Sequence, residues 1–212
     1  MKTLFKPFLL LTLTALALAS CSKNDDFDYE KAQEEARIQD SLNNVRIQKV
    51  LAEQAGELEQ FAKTNFETPI HHDSLGIWYD VVNPGEADPF SYIISGGRVV
   101  SPKITVIYKG TLLDGTVFDE SDDKDTADKV ETREFELGRM IRAWQSAFLP
   151  KVVNYNGYSI PMAGLTTEGL RKGSVIKFVT PSPWAYDAKE LEKIPANSPL
   201  YFEMEVVDIS YE

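Results

Sequence analysis

The sequence predicts an α+β protein in which a long N-terminal helix precedes an antiparallel sheet covered by one short helix. Residues 29–66 contain no proline and are rich in Glu, Gln, Ala, Leu and Lys, which is a helical composition. Downstream, short stretches alternate apolar and polar residues with the two-residue period of strands, and turn-rich segments separate them. Arg139 to Leu149 is the one later stretch with a helical pattern. Strands joined by hairpins and covered by a single helix indicate an antiparallel sheet with one buried face.

Residues 1–20 have the layout of a secretory signal peptide. Lys2 and Lys6 precede an apolar run, Phe8 to Leu18, that is too short to span a bilayer and ends in small residues. The sequence Leu-Ala-Ser-Cys that follows resembles a bacterial lipobox, so we expect cleavage before Cys21 and acylation of this sole cysteine. Residues 21–28 would then be an acylated, flexible tether. This predicts a lipid-anchored protein of the cell envelope, in the outer membrane and on its periplasmic face or the cell surface.

The net charge of −11 argues against nucleic acid as a partner. Removal of the signal peptide would delete two lysines and make the chain more negative. Such a chain repels phosphate backbones, and it contains no basic cluster that would attract anionic lipid headgroups. We therefore expect contact with the membrane through the N-terminal lipid alone.

Residues 29–66 are predicted to form a helical arm with a narrow apolar stripe. Its members are Leu42, Val45, Leu51, Leu58 and Phe61. An apolar stripe on a helix has to be buried, either against a second copy of the chain or against the domain that follows. The stripe is irregular and is no sustained heptad, so a solvated spacer is the other reading. A homodimer through the helix is thus one of three alternatives.

The stretch from Ile104 to Ser121 has the strongest strand signal. Apolar residues recur at every second position of its first half, namely Ile104, Val106, Tyr108 and Leu112. Asp114-Gly115 predicts a two-residue hairpin turn, since both residues tolerate a positive φ. The returning arm brings a large aromatic residue, Phe118, next to the carboxylate of Asp119. A charge beside an apolar wall needs a reason, and a binding hollow would supply one.

Two stretches could be mistaken for metal sites. His71 and His72 are the only histidines, and they follow Pro69 in a predicted loop without a cysteine or third histidine to complete a site. The acidic stretch from Glu120 to Asp128 lacks the glycine and the terminal glutamate of a calcium loop. We expect two solvated imidazoles, a solvated acidic loop and no bound metal.

The remaining elements complete the predicted sheet. Strands are expected at Gly76–Val82, Phe135–Gly138, Val175–Val179 and Pro199–Tyr211, and the short helix at Arg139–Leu149 would be stopped by Pro150. In the last strand apolar side chains alternate with Glu203 and Glu205, so one face is buried and the other is wet. Lys151–Thr167 is interpreted as an insertion on the rim of the domain.

Ordered motifs in the second half resemble those of FKBP-type peptidyl-prolyl isomerases. The opening pattern Val-x-Tyr-x-Gly-x-Leu-x-Asp-Gly-x-x-Phe-Asp-x-Ser begins at Val106 and ends at Ser121. It is followed in order by Phe-Glu-Leu-Gly138, Met140-Ile-Arg-Ala-Trp, Leu-Arg-Lys-Gly173, Trp-Ala-Tyr186 and Ile194-Pro, and then by the last strand. The resemblance covers residues 76–212 and implies an FKBP-like curved antiparallel sheet wrapped around the short helix that carries Trp144.

The resemblance also implies a prolyl isomerase with neither cofactor nor metal. It assigns catalytic positions to Tyr108, Phe118, Asp119, Trp144 and Tyr186, and substrate-binding positions to Met140, Ile141, Ile194 and Phe202. The Tyr186 hydroxyl and the Ile141 backbone N–H would bind substrate carbonyl groups. Asp119, oriented by Tyr108, would lie at the pocket edge beside the twisted carbonyl. Proline-containing polypeptides would be the substrates.

Four departures from the family pattern keep a second function open. They are Arg133 in place of a pocket aromatic, Ala143 in place of glycine, Asp187 in place of the glycine after Ala-Tyr, and Ala196 in a shortened Ile-Pro-Pro block. An envelope isomerase that helps exported proteins to fold is the first hypothesis. The alternative is a non-catalytic FKBP-like lipoprotein that binds a peptide or a partner. Whether Lys151–Thr167 and the acidic loop leave the hollow open discriminates the two.

Overall fold

The fold was obtained as a computed structural model, which describes residues 28–121 and 131–211. The helices in this part of the chain are α1 (Tyr29–Asn65) and α2 (Arg142–Phe148), with short 3₁₀ turns at Leu137–Arg139 and Ser182–Trp184. The strands are β1 (Ile70–His72), β2 (Ile77–Pro84), β3 (Ile94–Ser95), β4 (Arg98–Val99), β5 (Lys103–Leu112), β6 (Val117–Glu120), β7 (Arg133–Glu136), β8 (Val152–Tyr155), β9 (Tyr158–Pro161), β10 (Ser174–Thr180) and β11 (Leu200–Ser210). The predicted α+β class with a long N-terminal helix is confirmed.

Seven strands form one antiparallel sheet in the order β1-β2-β10-β11-β5-β6, and β7 pairs with the other end of β5. The central strand β5 therefore pairs with β6 near Gly110 and with β7 near Ile104. The strand pairs β3–β4 and β8–β9 form separate two-stranded hairpins. The order places β5, β6 and β11 side by side, and these three strands carry most of the aromatic residues of the predicted site.

The core lies between the sheet and α2. Side chains from β5 and β11 alternate as the sequence predicts, so that Ile104, Val106, Met204 and Val206 are buried while the glutamates of β11 face water. Helix α2 is only seven residues long, yet five of them are buried, since the helix covers the apolar face of the sheet. The helix ends at Phe148, and its C-cap Leu149 precedes Pro150, in agreement with the predicted stop.

The chain divides into two compact units, residues 1–40 and 41–212. In the first unit the described residues form the start of α1, with exposed ion pairs such as Lys31–Glu35 at 3.9 Å. In the second unit, α1 packs on the sheet. Leu58 and Ala62 of α1, and Phe66 just after it, are buried with Val179 of β10 in a second apolar cluster. The lower part of the apolar stripe, towards the C-terminal end of α1, is therefore buried by the domain itself. The upper part, towards the N-terminal end, differs, because Leu42 and Val45 are exposed.

Several local predictions are wrong. Residues 113–116 connect β5 to β6, so the Asp114-Gly115 turn is longer than a two-residue hairpin, and only Gly115 takes a positive φ, of 89°. His71 and His72 lie in strand β1, paired with β2, and not in a loop. The sheet accordingly begins before residue 76. The expected strand Phe135–Gly138 gives way at Leu137 to a 3₁₀ turn, and α2 begins at Arg142, three residues later than predicted.

The predicted insertion Lys151–Thr167 contains the hairpin β8–β9, closed by Asn156-Gly157 with positive φ at both residues. Most of the acidic loop from Glu120 to Asp128 lies outside the described residues, and so does Cys21. None of the described helices is both long and apolar enough to cross a bilayer.

Candidate functional site

A surface cavity of about 240 Å³ opens where β5, β6 and β11 meet the N-terminus of α2. Its wall is mainly aromatic and carries one carboxylate. The lining residues are Tyr108, Phe118, Asp119, Phe135, Arg139, Met140, Ile141, Trp144, Tyr186 and Phe202. We call this cavity the aromatic hollow.

Trp144 forms the buried centre of the aromatic hollow. Its side chain is 4% exposed, and its ring meets those of Tyr108, Phe135 and Phe202 edge to face at centroid distances of 5.0, 5.8 and 5.7 Å. Edge-to-face packing is a favoured arrangement of aromatic rings, so the four side chains hold one another in place. The indole Nε1 is buried and has no hydrogen-bond partner among the described residues. The floor of the hollow is therefore a packed cluster of aromatic rings with one indole N–H that is unpaired within the described part of the chain.

Phe118 forms a wall because the strand beneath it carries a glycine. A Cβ atom on Gly110 would lie 2.5 Å from the Phe118 ring and 3.1 Å from Phe202. The missing side chain lets Phe118 lie across β5 and meet Phe202 edge to face at 5.7 Å. This close approach explains on physical grounds why the motif has Gly between Tyr108 and Leu112.

Asp119 is held at the edge of the hollow by Tyr108. The Tyr108 hydroxyl donates a hydrogen bond of 2.6 Å to Asp119 Oδ2, and the Asp119 side chain remains exposed to solvent. Ser121 fixes the backbone of this pair: its Oγ accepts from Tyr108 N at 2.9 Å, and its own N–H donates to Tyr108 O at 2.9 Å. The motif serine thus has a structural role, and one oxygen of the Asp119 carboxylate accepts from the Tyr108 hydroxyl.

Both tyrosine hydroxyls of the hollow stay protonated at neutral pH. Burial, and after it the hydrogen bond to Asp119, raise the pKa of Tyr108 well above its ordinary value. Burial and the nearby Asp119 charge also raise the pKa of Tyr186. Tyr186 lies in the segment between β10 and β11, just after the 3₁₀ turn Ser182–Trp184. Its hydroxyl is therefore a neutral hydrogen-bond donor on a residue that lines the hollow.

The N-terminus of α2 supplies a further donor. Ile141 is the N-cap of α2 and lines the hollow, and its N–H has no acceptor among the described residues. Unpaired N–H groups are expected at the start of any helix. Gln145 Nε2 donates to Met140 O at 2.8 Å and so fixes the backbone that carries this rim.

The structure brings eight of the nine predicted site residues to the aromatic hollow. Ile194 is the exception: it is 5% exposed, belongs to the main apolar core and does not line the cavity. Sequence reasoning assigned no role to two lining residues, Phe135 and Arg139. Phe135 lies in the Phe-Glu-Leu-Gly138 motif, and only the pairing of its strand with β5 places it at the hollow. Arg139 is exposed and pairs with Glu136 at 2.7 Å, and no sequence pattern marks it.

No part of the hairpin insertion lines the aromatic hollow. All lining residues lie outside Lys151–Thr167. Among the described residues there is also no group of three histidine, cysteine or acidic side chains placed to hold a metal ion. The groups that line the hollow are aromatic rings, tyrosine hydroxyl groups, the apolar side chains of Met140 and Ile141, one carboxylate and the guanidinium of Arg139.

Comparison with known proteins identifies the family. The sequence model of the FKBP-type peptidyl-prolyl cis-trans isomerases matches residues 98–207, which include the whole of the aromatic hollow. The FKBP-type peptidyl-prolyl cis-trans isomerase FkpA of Escherichia coli K12 is 30% identical over 202 residues, which are 91% of this chain and 60% of the relative. FkpA of Aeromonas hydrophila is 33% identical over 120 residues, covering 53% of this chain and 35% of that protein.

The chain thus spans about 60% of the length of the E. coli relative. A solved structure agrees with the sequence match. The crystal structure of FkpA from E. coli is similar with a TM-score of 0.50 and 25% identity, covering 89% of this chain and 75% of that one. The matched residues and the shared fold lead to one conclusion: this chain belongs to the FKBP-type peptidyl-prolyl cis-trans isomerase family.

Proposed function

We propose that the protein catalyses cis-trans isomerisation of peptidyl-prolyl bonds in exported polypeptides. The observation that carries the proposal is the aromatic hollow itself, which joins an apolar floor to a fixed carboxylate and two neutral hydroxyl groups. The family relationship supports the same activity, since the relatives are named peptidyl-prolyl cis-trans isomerases.

The reaction needs little more than such a pocket. Rotation about the prolyl bond is slow because the twisted amide loses its resonance, at a barrier of roughly 18–20 kcal/mol. No covalent bond is made or broken, so a catalyst has to stabilise the twisted amide better than the planar one. Twisting separates the lone pair of nitrogen from the carbonyl group and makes the amide less polar. Trp144 forms an apolar floor, and Phe118 and Phe202 form walls. This apolar surface favours the less polar twisted amide, because it excludes the water that would solvate the planar amide.

The polar groups at the rim would orient the substrate. In this proposal the proline ring lies on Trp144, the Tyr186 hydroxyl and the Ile141 N–H donate to substrate carbonyl groups, and the Asp119 carboxylate lies beside the rotating carbonyl carbon. Tyr108 keeps that carboxylate in position through its hydrogen bond of 2.6 Å. Each group acts by fixed geometry, which is how preorganised sites reduce the cost of reaching a transition state.

A proline-peptide isomerisation assay on the chain from residue 22 tests the proposal and separates it from the alternative. Acceleration of exchange by the wild-type protein supports the isomerase. Saturable binding of a proline peptide without acceleration favours the non-catalytic binding module. The absence of both binding and acceleration would confine the family relationship to the fold.

We further propose that the protein is a lipoprotein of the cell envelope, anchored in the outer membrane. The apolar run Phe8 to Leu18 and the lipobox-like sequence after it, which ends in the sole cysteine, Cys21, support the proposal. Mass spectrometry of the protein from membranes should find a diacylated Cys21, and Cys21→Ala should retain residues 1–20. An unmodified wild-type Cys21 contradicts the anchor, and protease treatment of intact cells tells the periplasmic face from the cell surface.

A homodimer through α1 remains a proposal for its upper part only. Leu42 and Val45 lie three residues apart on the helix and are 58% and 67% exposed, whereas Leu58 is already buried by the domain. If two chains pair there, the protein should sediment as a dimer, and a Leu42→Glu, Val45→Glu double variant should sediment as a monomer. Sedimentation of the wild type as a monomer would leave this surface to solvent.

A further inference from the structure

The segment that carries Tyr186 is held by α1. Gln54 is 8% exposed and points into the domain, where its amide makes hydrogen bonds to both ends of this segment. Ser182 N donates to Gln54 Oε1 at 2.9 Å, while Gln54 Nε2 donates to Asn197 O at 2.8 Å and to Ser182 Oγ at 3.2 Å. A buried amide with these partners cannot move without leaving polar groups unpaired.

These bonds close a ring with two bonds inside the segment. Asn197 N donates to Asp187 O at 2.7 Å, and Asp187 N donates to Ser182 O at 2.8 Å. Starting from Gln54, the ring therefore runs through Ser182, Asp187 and Asn197 and returns to Gln54. Tyr186 directly precedes Asp187 in the chain, so the ring fixes the backbone on which the Tyr186 side chain is carried.

The ring also holds strained backbone. Asp187 and Asn197 adopt φ values of 53° and 61°. These values lie in the left-handed region, which residues other than glycine adopt at a cost in free energy. Asp187 is the position where the family pattern has glycine. Here its carboxylate receives two hydrogen bonds from Arg46 of α1, at 2.9 and 2.7 Å. The helix thus supplies a second contact at the residue next to Tyr186.

We propose that α1 is part of the isomerase site, with Gln54 and Arg46 as positioning residues that set the location of the Tyr186 hydroxyl. The inference rests on the proposed isomerase function and extends it. The N-terminal arm acts on catalysis through the part of α1 that contacts this segment, from Arg46 to Gln54, because a shift of α1 would move Ser182, Asp187 and Tyr186 together.

The test compares Gln54→Leu with Gln48→Leu, an exposed glutamine on the same helix. Leucine keeps the bulk of Gln54 and removes its hydrogen bonds. We expect Gln54→Leu to lower kcat/KM roughly threefold to tenfold, the effect of one misplaced hydrogen bond, and Gln48→Leu to leave it unchanged. Arg46→Ala removes an exposed ion pair, leaves the buried amide in place, and should lower kcat/KM by less than about fivefold.

A background without the Tyr186 hydroxyl separates positioning from a general loss of structure. In Tyr186→Phe protein, Gln54→Leu should cause no further fall in kcat/KM, because the group that it positions is gone. A fall of the same size in both backgrounds would overturn the inference, and so would wild-type kcat/KM in both Gln54→Leu and Arg46→Ala.

Amide hydrogen exchange gives a readout that does not depend on activity. In Gln54→Leu the amides of residues 182–197 should exchange faster than in wild type, while those of β5 keep their rates. Equal exchange in the two proteins would overturn the inference and leave wild-type isomerisation untouched. A wild-type protein that does not isomerise proline peptides would instead refute the proposed function, and the positioning role with it.

Discussion

Removing the hydroxyl group of Tyr186 is the cleanest perturbation of the aromatic hollow. Tyr186→Phe keeps the ring in the half-buried wall and deletes a single donor. The described residues give that hydroxyl no hydrogen-bond acceptor, so the variant leaves no buried protein group unpaired. We therefore expect the free energy of unfolding to stay within about 0.5 kcal/mol of wild type.

The catalytic effect should be that of one hydrogen bond to the substrate. Such a bond contributes about 0.5–1.5 kcal/mol, which corresponds to a fall in kcat/KM of roughly threefold to tenfold. The assay follows isomerisation of a proline peptide at several substrate concentrations, with unfolding by denaturant measured on the same samples. Tyr158→Phe is the matched control, because Tyr158 lies on the β8–β9 hairpin, away from the hollow, and is 75% exposed.

Two results would refute this reasoning. Wild-type kcat/KM in Tyr186→Phe would show that the hydroxyl does not meet the substrate. A fall in kcat/KM that is matched by Tyr158→Phe would show that the loss is not specific to the hollow.

Three further predictions follow from the same contacts. Asp119→Ala should lower kcat/KM and should also lower the free energy of unfolding by about 1–3 kcal/mol, because the buried Tyr108 hydroxyl loses its acceptor, and an isomerisation assay next to unfolding by denaturant checks both. Leu58→Ala should lower the free energy of unfolding by about 2–5 kcal/mol, since Leu58 is 1% exposed, whereas Leu42→Ala should cost under about 0.5 kcal/mol at concentrations where the chain is monomeric. The pKa values of Tyr108 and Tyr186 are raised in the folded state, so as the pH rises the unfolded chain loses these protons before the folded chain does. The free energy of unfolding should therefore be unaffected by both groups below about pH 10 and should fall as the pH rises further. A series of denaturant unfolding curves from pH 7 to about 11 would show this.

Elements with a strong period were predictable from the sequence. The alternation in β11 and in β5 matches their burial because a half-buried strand has to alternate. The aromatic hollow was predictable for the same reason together with the ordered motifs: Tyr108, Phe118 and Phe202 lie on neighbouring strands of known register. Local errors arose where the turn type depends on contacts that the sequence pattern does not show. At Asp114 the carboxylate accepts a hydrogen bond from Thr116 N at 2.9 Å, and the turn is longer than the predicted two-residue hairpin.

Contacts between distant parts of the chain were not predictable. Gln54 and Ser182 are separated by 128 residues, and Arg46 and Asp187 by 141, so no local pattern relates them. A glutamine on a helix usually faces water, and only the docking of α1 on the domain buries this one. The placement of Ile194 in the apolar core was not predictable for a related reason: a motif match gives the order of residues, while the burial of one side chain depends on how the surrounding segment packs.

The most direct test of the central claim is to observe the rotation itself. In NMR exchange spectroscopy of a proline tetrapeptide, the cis and trans forms give separate resonances that interconvert in about 10–100 s without a catalyst. Wild-type protein in catalytic amounts should produce exchange cross-peaks between them on a sub-second mixing time, and Phe118→Ala, which opens the hollow to water, should weaken them. Peptide resonances that broaden on binding while the cross-peaks stay absent would contradict the account.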